Sequence, residues 1–341
     1  MHYSVHLFHT FGFEKPSPIQ QRGIVPFTKN QDMIAQAQSG TGKTATFSIA
    51  VLQNTSPDLQ ETQALILAPT RELATQIHNV ISAIGLHMNL SINCFIGGQS
   101  AGGYESRNWF KSQIIVGTPG KIYDMIQRGM IQLENLRNLV LDEADEMLSR
   151  SFIEQIQSIF KCVPSETKVG IYSATLPPEA LRITQKFMNN PIRILLKRES
   201  LTLEGIKQYY IDVMNESFKY DTLKDLYSSM AIYQMIIYCN TKKSVDILSS
   251  RLESEGFTVS SIHGQMDAST RNDIMLKFRK GENRVLISTD LLCRGIDIQQ
   301  VSLVINYEVP RQVESYLHRI GRSGRYGRKG YAINFLSLIH I

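Results

Sequence analysis

Short apolar runs alternate with amphipathic stretches of helical length along most of the chain. In the first half the runs fall at 32–36, 64–68, 114–116, 139–141 and 169–172, with helical spacing near 43–52, 71–84, 121–128 and 151–160. The runs are continuously apolar, so each strand is expected to be covered on both faces. Such strands separated by helices predict parallel β-α-β units. The pattern restarts after Arg198. Strands are expected at 206–213, 235–238, 259–262, 285–288, 303–306 and 330–335, and helices near 219–230, 242–255, 269–280 and 313–319. The segment 196–204 between the two series is polar, charged and aperiodic, and reads as a linker. At ~150 residues per domain, 341 residues then divide into two α/β domains in tandem, 1–197 and 198–341. The chain stops at Leu338-Ile-His-Ile341, just after a strand with no helix to cover it. The second domain is therefore expected to be truncated at its end.

Composition narrows the class. The chain is 43% hydrophobic and 20% charged, as an ordinary globular protein is. No apolar run approaches the ~18 residues of a membrane span, and Met1-His-Tyr-Ser-Val-His has no charged lead into an apolar core. The four cysteines (Cys94, Cys162, Cys239 and Cys293) are scattered, without a C-x-x-C pair, which disfavours a zinc site or a disulfide framework. Charge is nearly balanced, +5 from 36 basic and 31 acidic residues. One window differs: Arg311, Arg319, Arg322, Arg325, Arg328 and Lys329 face only Glu314 and are interleaved with Gly321, Gly324, Gly327 and Gly330. A basic run alone is usually a solvated face. The interleaved glycines point instead to a phosphate-facing loop.

Three motifs carry chemistry. Ala37-Gln-Ser-Gly-Thr-Gly-Lys43-Thr44 follows an expected strand and opens an expected helix, the context of a phosphate-cradling loop. Gly40 and Gly42 let the backbone turn its N–H groups inward. Lys43 would neutralise the β- and γ-phosphates, and the Thr44 hydroxyl would ligate Mg²⁺. The strand 139–141 ends in Asp142-Glu143-Ala144-Asp145, and ligands of open parallel sheets sit at carboxyl strand ends. Asp142 is suited to Mg²⁺, and Glu143 to orienting and deprotonating a water. A solvated acidic turn is the bland alternative, and the phosphate loop tips the balance against it. Ser173 and Thr175 end the next run and are suited to relaying hydrogen bonds from the acidic motif.

With these motifs in order, the sequence resembles the DEAD-box RNA helicases, whose name Asp142-Glu-Ala-Asp145 spells. Gly12-Phe13-Glu-Lys-Pro-Ser-Pro-Ile-Gln20 is similar to the family's adenine-reading motif. Pro69-Thr70-Arg71-Glu-Leu73, Gly97-Gly98 and Thr118-Pro-Gly120 are similar to its RNA-backbone motifs, and Ser173-Ala-Thr175 to its coupling motif. Ile237-Tyr-Cys-Asn240-Thr241, Ser288-Thr289-Asp290, Arg294-Gly-Ile-Asp297 and His318-Arg319-Ile-Gly-Arg322-Ser-Gly-Arg325 match the second half. Among subfamilies the resemblance is strongest to the translation-initiation helicases.

The resemblance implies two tandem RecA-like domains, each a mostly parallel sheet flanked by helices, working as a monomeric helicase core in the cytoplasm. It implies ATP and Mg²⁺ as cofactors. Phe13, Gln20, Ser39, Gly40, Thr41, Gly42, Lys43, Thr44, Asp142 and Asp297 would hold the nucleotide, with Thr44 and Asp142 on the metal. Lys43, Glu143, His318, Arg322 and Arg325 would be catalytic, the two arginines acting on the γ-phosphate when the domains close. Pro69, Thr70, Arg71, Gly98, Thr118, Gly120, Asn240, Arg271 and Thr289 would hold RNA, and Asp145, Ser173 and Thr175 would couple the two ligands. A glutamine amide matches adenine N6 and N7, so Gln20 would select ATP.

The expected RNA contacts suit phosphate and 2′-OH groups rather than bases. The one tryptophan, Trp109, lies outside every motif. Sequence-independent binding and local separation of short duplexes follow. A helical-repeat scaffold of the initiation complex is the expected protein partner. The competing reading is an ATP-gated RNA clamp in splicing, exon-junction or ribosomal-RNA-processing complexes, nuclear and slow in turnover. Three positions depart from the family: Lys121 stands for Arg, Ala268 for Gln and Ser151 for Gly.

Overall fold

The computed structural model describes residues 15–38, 40–98, 111–149, 151–195, 205–230, 234–290, 301–324 and 329–337. The chain divides into two compact units, Met1–Arg198 and Glu199–Ile341.

In the first unit seven strands form one sheet: β1 (Met33–Gln36), β2 (Ala64–Leu67), β3 (Ile92–Phe95), β4 (Ile114–Gly117), β5 (Asn138–Asp142), β6 (Lys168–Ser173) and β7 (Ile192–Ile194). Their order is β3-β4-β2-β5-β6-β1-β7, and every pairing is parallel. Side chains alternate between faces along a strand, so one apolar run feeds two cores. Leu139 and Leu141 pack with helices Pro119–Gln127 and Ile153–Phe160. Val140 packs on the opposite face with helices Lys43–Asn54 and Arg71–Ile84. Each Leu, Ile or Val so buried contributes roughly 1.5–3 kcal/mol.

The second unit has the same plan in six strands: β8 (Ile206–Asp212), β9 (Met235–Tyr238), β10 (Ser260–Ile262), β11 (Val285–Ser288), β12 (Leu303–Asn306) and β13 (Gly330–Leu336). The order is β10-β11-β9-β12-β13-β8, again parallel throughout. Helices Lys219–Ser229 and Lys242–Ser254 cover one face, and Ala268–Arg279 the other.

Five elements of the first unit exceed the periodicity reading. Strands β3 and β7 are short and lie at the two sheet edges, where partial exposure dilutes the apolar signal. Helix Pro18–Thr28 contains Pro26 and Gly23, which read as breakers. Its start is fixed locally. Ser17 accepts from the Gln20 N–H while Ser17 N donates to the Gln20 side chain, a capping box with Pro at the first helical position. Helices Ala144–Met147 and Pro178–Thr184 are too short for a 3.6-residue period to register.

Candidate functional site

Strand order brings the three chemical motifs of the first unit together. β6 lies between β5 and β1, with Asp142 opposite Tyr172 and Gln36 opposite Ser173 in register. The phosphate-loop candidate, the acidic motif and the hydroxyl pair thus leave the same edge of three adjacent strands. Chain connection reverses around them, since β1 leads to β2 across β6 and β5, the crevice position of open α/β sheets.

The loop after β1 is held by Ala37 N donating to Ser173 O at 3.1 Å. Gly40 and Gly42 adopt φ +80° and +93°, in the left-handed region that glycine alone enters freely. Gly42 caps helix Lys43–Asn54 and makes no side-chain cap bond to its first turn. The Lys43 side chain is buried and donates to Ala37 O at 2.8 Å. The Thr41 hydroxyl donates to Gln38 O at 2.7 Å, and Thr44 is half-buried. The buried Gln20 amide reaches this loop: a Cβ built on Gly42 would stand 2.6 Å from its nitrogen.

Asp142, Glu143 and Asp145 are all buried. Asp142 accepts from Glu143 N at 3.0 Å. Glu143 sits at φ 49°, ψ 53°, a left-handed conformation uncommon for a side-chain-bearing residue and frequent at working sites. Burial, and then the Glu143 carboxylate, push Asp142 up to about 7, against the pull of Lys43. Asp145 accepts the Ser173 hydroxyl at 2.7 Å on one oxygen and the Thr175 hydroxyl at 2.8 Å on the other. This carboxylate cluster, beside an uncapped helix start and a buried lysine, can take a polyanion and a cation together.

The candidate RNA residues of this unit occupy the same carboxyl side. Thr70 caps helix Arg71–Ile84 by accepting from Leu73 N at 3.2 Å. Pro69 is buried beside it. The Arg71 guanidinium stands over Gly97 and Gly98. Thr118 precedes helix Pro119–Gln127 as its cap, and Gly120 is exposed in the first turn.

In the second unit the carboxyl ends of β11, β9 and β12 converge on Arg319, which sequence reasoning quoted without giving it a role. Arg319 is fully buried. Its Nε donates to Asp290 at 2.5 Å, one Nη to Glu308 O at 2.7 Å and Asn306 Oδ1 at 3.2 Å, and the other to Asn240 Oδ1 at 2.8 Å. Asn240 also donates its N–H to the Glu308 carboxylate at 2.5 Å and its amide nitrogen to Val309 O at 3.0 Å. Its side chain thus braces the turn after β9 at both ends while the residue itself stays exposed at the strand end. A cavity of about 530 Å³ opens here, lined by Asn240, Thr241, Asp290, Glu308 and Arg311 among others. Thr289 precedes Asp290 and is half-buried. Arg271 is buried in the first turn of helix Ala268–Arg279. His318 and Arg322 are buried on and just after helix Val313–Ile320, with Arg322 Nε donating to His318 O at 3.2 Å. Phe13, Ser39, Asp297 and Arg325 lie outside the described residues. The place of Arg319 inside His318-Arg-Ile-Gly-Arg322 was the available signal for it, and only its burial shows that its guanidinium demands several internal acceptors.

The DEAD/DEAH box helicase family model matches residues 17–183, and that of the helicase conserved C-terminal domain matches residues 218–327. The chain is 56% identical over 331 residues to eukaryotic initiation factor 4A of Zea mays, covering 96% of this chain and 80% of that protein. It is 55% identical over 329 residues to the ATP-dependent RNA helicase eIF4A of Meyerozyma guilliermondii, covering 96% and 83%. Among solved structures it is similar to S. cerevisiae Dbp5 bound to RNA and ADP BeF3, with a TM-score of 0.92, 37% identity, and 98% and 87% of the two chains covered. It is also similar to Mss116p bound to ssRNA and AMP-PNP, with a TM-score of 0.88, 27% identity, and 98% and 72% covered.

Proposed function

The chain belongs to the DEAD/DEAH box helicase family and is an ATP-dependent RNA helicase of translation initiation, and from that premise we propose how its residues share the work. The carrying observation is the meeting of Lys43, the Asp142–Asp145 turn and the Ser173–Thr175 pair at three adjacent strand ends.

The residues fit ATP with Mg²⁺. The start of helix Lys43–Asn54 offers N–H groups with no side-chain cap, and Asp142, raised by burial and a neighbouring carboxylate, gains from a cation. Bound Mg²⁺ would draw charge from the β- and γ-phosphates. Gly40, Thr41, Gly42 and Lys43 cradle the phosphates, with Ser39 beside them. Thr44 and Asp142 are the cation's protein ligands. Glu143 orients the attacking water and accepts its proton. Gln20, oriented by Ser17, reads the adenine edge, with Phe13 against the base and Asp297 on the ribose. Arg322 and Arg325, contributed by the second unit, answer the charge that develops on the γ-phosphate, and His318 joins the nucleotide and RNA sides. Asp145, held by Ser173 and Thr175, couples the acidic turn to the strand after it.

Arg71, Gly98, Thr118, Gly120, Arg271 and Thr289, with Pro69 and Thr70 shaping their turn, hold the RNA backbone without reading bases. Asn240, exposed at the end of β9, joins that surface. A helical-repeat scaffold recruits the helicase core in the cytoplasm, a reading supported by relatives that are named initiation factors. The clamp reading is not favoured, since relatives at 55–56% identity are initiation helicases.

The test is steady-state ATP hydrolysis with and without single-stranded RNA, alongside separation of a short duplex. RNA is expected to raise the hydrolysis rate, and Glu143→Gln to abolish it. Hydrolysis indifferent to RNA, with no strand separation, would overturn the proposal.

A further inference from the structure

We propose that Gly97 and Gly98 are positioning residues, a side-chain-free seat that aims the Arg71 guanidinium at an RNA phosphate. The inference rests on the reading of Arg71 as a backbone contact and deepens it. Arg71 opens helix Arg71–Ile84, and the glycines follow edge strand β3 across the same carboxyl side of the sheet.

The distances define the seat. A Cβ on Gly98 would stand 2.6 Å from one Nη of Arg71 and 3.2 Å from its Cζ, and a Cβ on Gly97 would stand 3.2 Å from the other Nη and 3.7 Å from Nε. Two consecutive bare backbones thus meet the whole guanidinium. Gly98 has a second reason to be glycine, its φ of +80°. Gly97 has none: its backbone is outside the left-handed region, and among the atoms nearest a Cβ there all three belong to the Arg71 guanidinium. The smallness of Gly97 is therefore explained by Arg71.

A methyl group at either position meets the free end of a flexible side chain, so the fold yields by releasing the guanidinium. A released arginine regains its rotamer freedom and must lose it again on binding, whereas a seated one presents its fork ready-made. The missing side chains then contribute to RNA affinity through Arg71, apart from the contact that the Gly98 backbone itself makes.

The experiment is a double-mutant cycle on the full chain. The probe is a labelled single-stranded RNA with a non-hydrolysable ATP analogue, titrated over a range of salt. Arg71→Ala is expected to weaken binding about tenfold or more and to reduce the log–log salt slope by ~0.7, the share of one phosphate contact on a single strand. Gly98→Ala and Gly97→Ala are expected to move affinity and slope in the same direction. Either glycine change added to Arg71→Ala is expected to cost nothing more. Arg71→Lys, which has no planar fork to seat, is expected to be insensitive to Gly97→Ala. Additive losses would mean that the added methyl groups act independently of Arg71 and would overturn the proposal. An Arg71→Ala protein that binds RNA like the parent would overturn the underlying reading of Arg71, and the proposal with it. Should the strained position make Gly98→Ala unstable in a melt, the Gly97 cycle, free of backbone strain, decides.

Discussion

The Ser173 hydroxyl donates to one oxygen of the buried Asp145 carboxylate at 2.7 Å. The bond ties the end of β6 to the turn after β5, and Thr175 occupies the other oxygen. A buried carboxylate held by two hydroxyls is costly to leave half-satisfied. Ser173→Ala or Thr175→Ala should each lower stability by about 1–3 kcal/mol, and less than additively in combination because they share one acceptor. If the pair also carries coupling, duplex separation should fall more than ATP hydrolysis. Denaturant melts beside both activity assays check this, and unchanged stability in both variants would dismiss the role.

Asp142 sets a pH dependence. Its folded pKa, about 7, lies above the ordinary carboxylate range. Folding then favours its protonated form, a contribution present at low pH and lost as pH rises through 7. A cation needs the opposite form. Mg²⁺-dependent binding of an ATP analogue should therefore strengthen about tenfold per pH unit below 7 and level off above it. Asp142→Asn should flatten the profile. A parent profile already flat between pH 5.5 and 8 would contradict the assignment.

Gln20 accepts from Ser17 N at 2.8 Å while its amide nitrogen lies beside Gly42. Gln20→Ala should weaken ATP binding by roughly 1–3 kcal/mol and bring GTP and ATP closer together. Competition between the two nucleotides measures it, and an undiminished ATP preference would remove Gln20 from the role.

Arg319 is the internal brace of the second unit. Because its partner Asp290 is 44% exposed, most of its worth lies in the buried Asn306 and the half-buried Glu308 carbonyl. Arg319→Ala should cost about 2–4 kcal/mol. Arg319→Lys should rescue little, since one ammonium cannot span acceptors on three strand ends. Thermal melts with RNA-stimulated hydrolysis test this, and a lysine variant of parental stability would count against the brace.

Lys43 and Arg322 should separate kinetically. Arg322→Ala is expected to cut RNA-stimulated turnover about 10³–10⁵-fold with ATP affinity nearly intact. Lys43→Ala removes ground-state contacts as well and should weaken ATP binding. Single-turnover hydrolysis with parallel nucleotide binding distinguishes them. Parental turnover in Arg322→Ala would end the two-unit scheme.

The sequence by itself determined the two α/β units, their central buried strands and the order of the motifs. Each is a local property: continuous apolar runs have no solvated face, and a glycine-rich turn before Lys43 follows from allowed backbone angles. Edge strands β3 and β7 and helix Pro18–Thr28 escaped, because edges bury only part of each strand and Pro26 mimics a stop. Only the tertiary structure decided which motifs touch. That β6 lies between β5 and β1 is a matter of strand order, and it alone sets Asp145 against Ser173 and Thr175. That Asn240 also braces its turn, through Arg319 and Val309, shows only once β9 and β12 lie side by side. The Arg71–glycine contact spans residues 26 and 27 apart in the chain. Pairings of that kind depend on which strand ends a sheet brings side by side, and no periodicity along the chain records it.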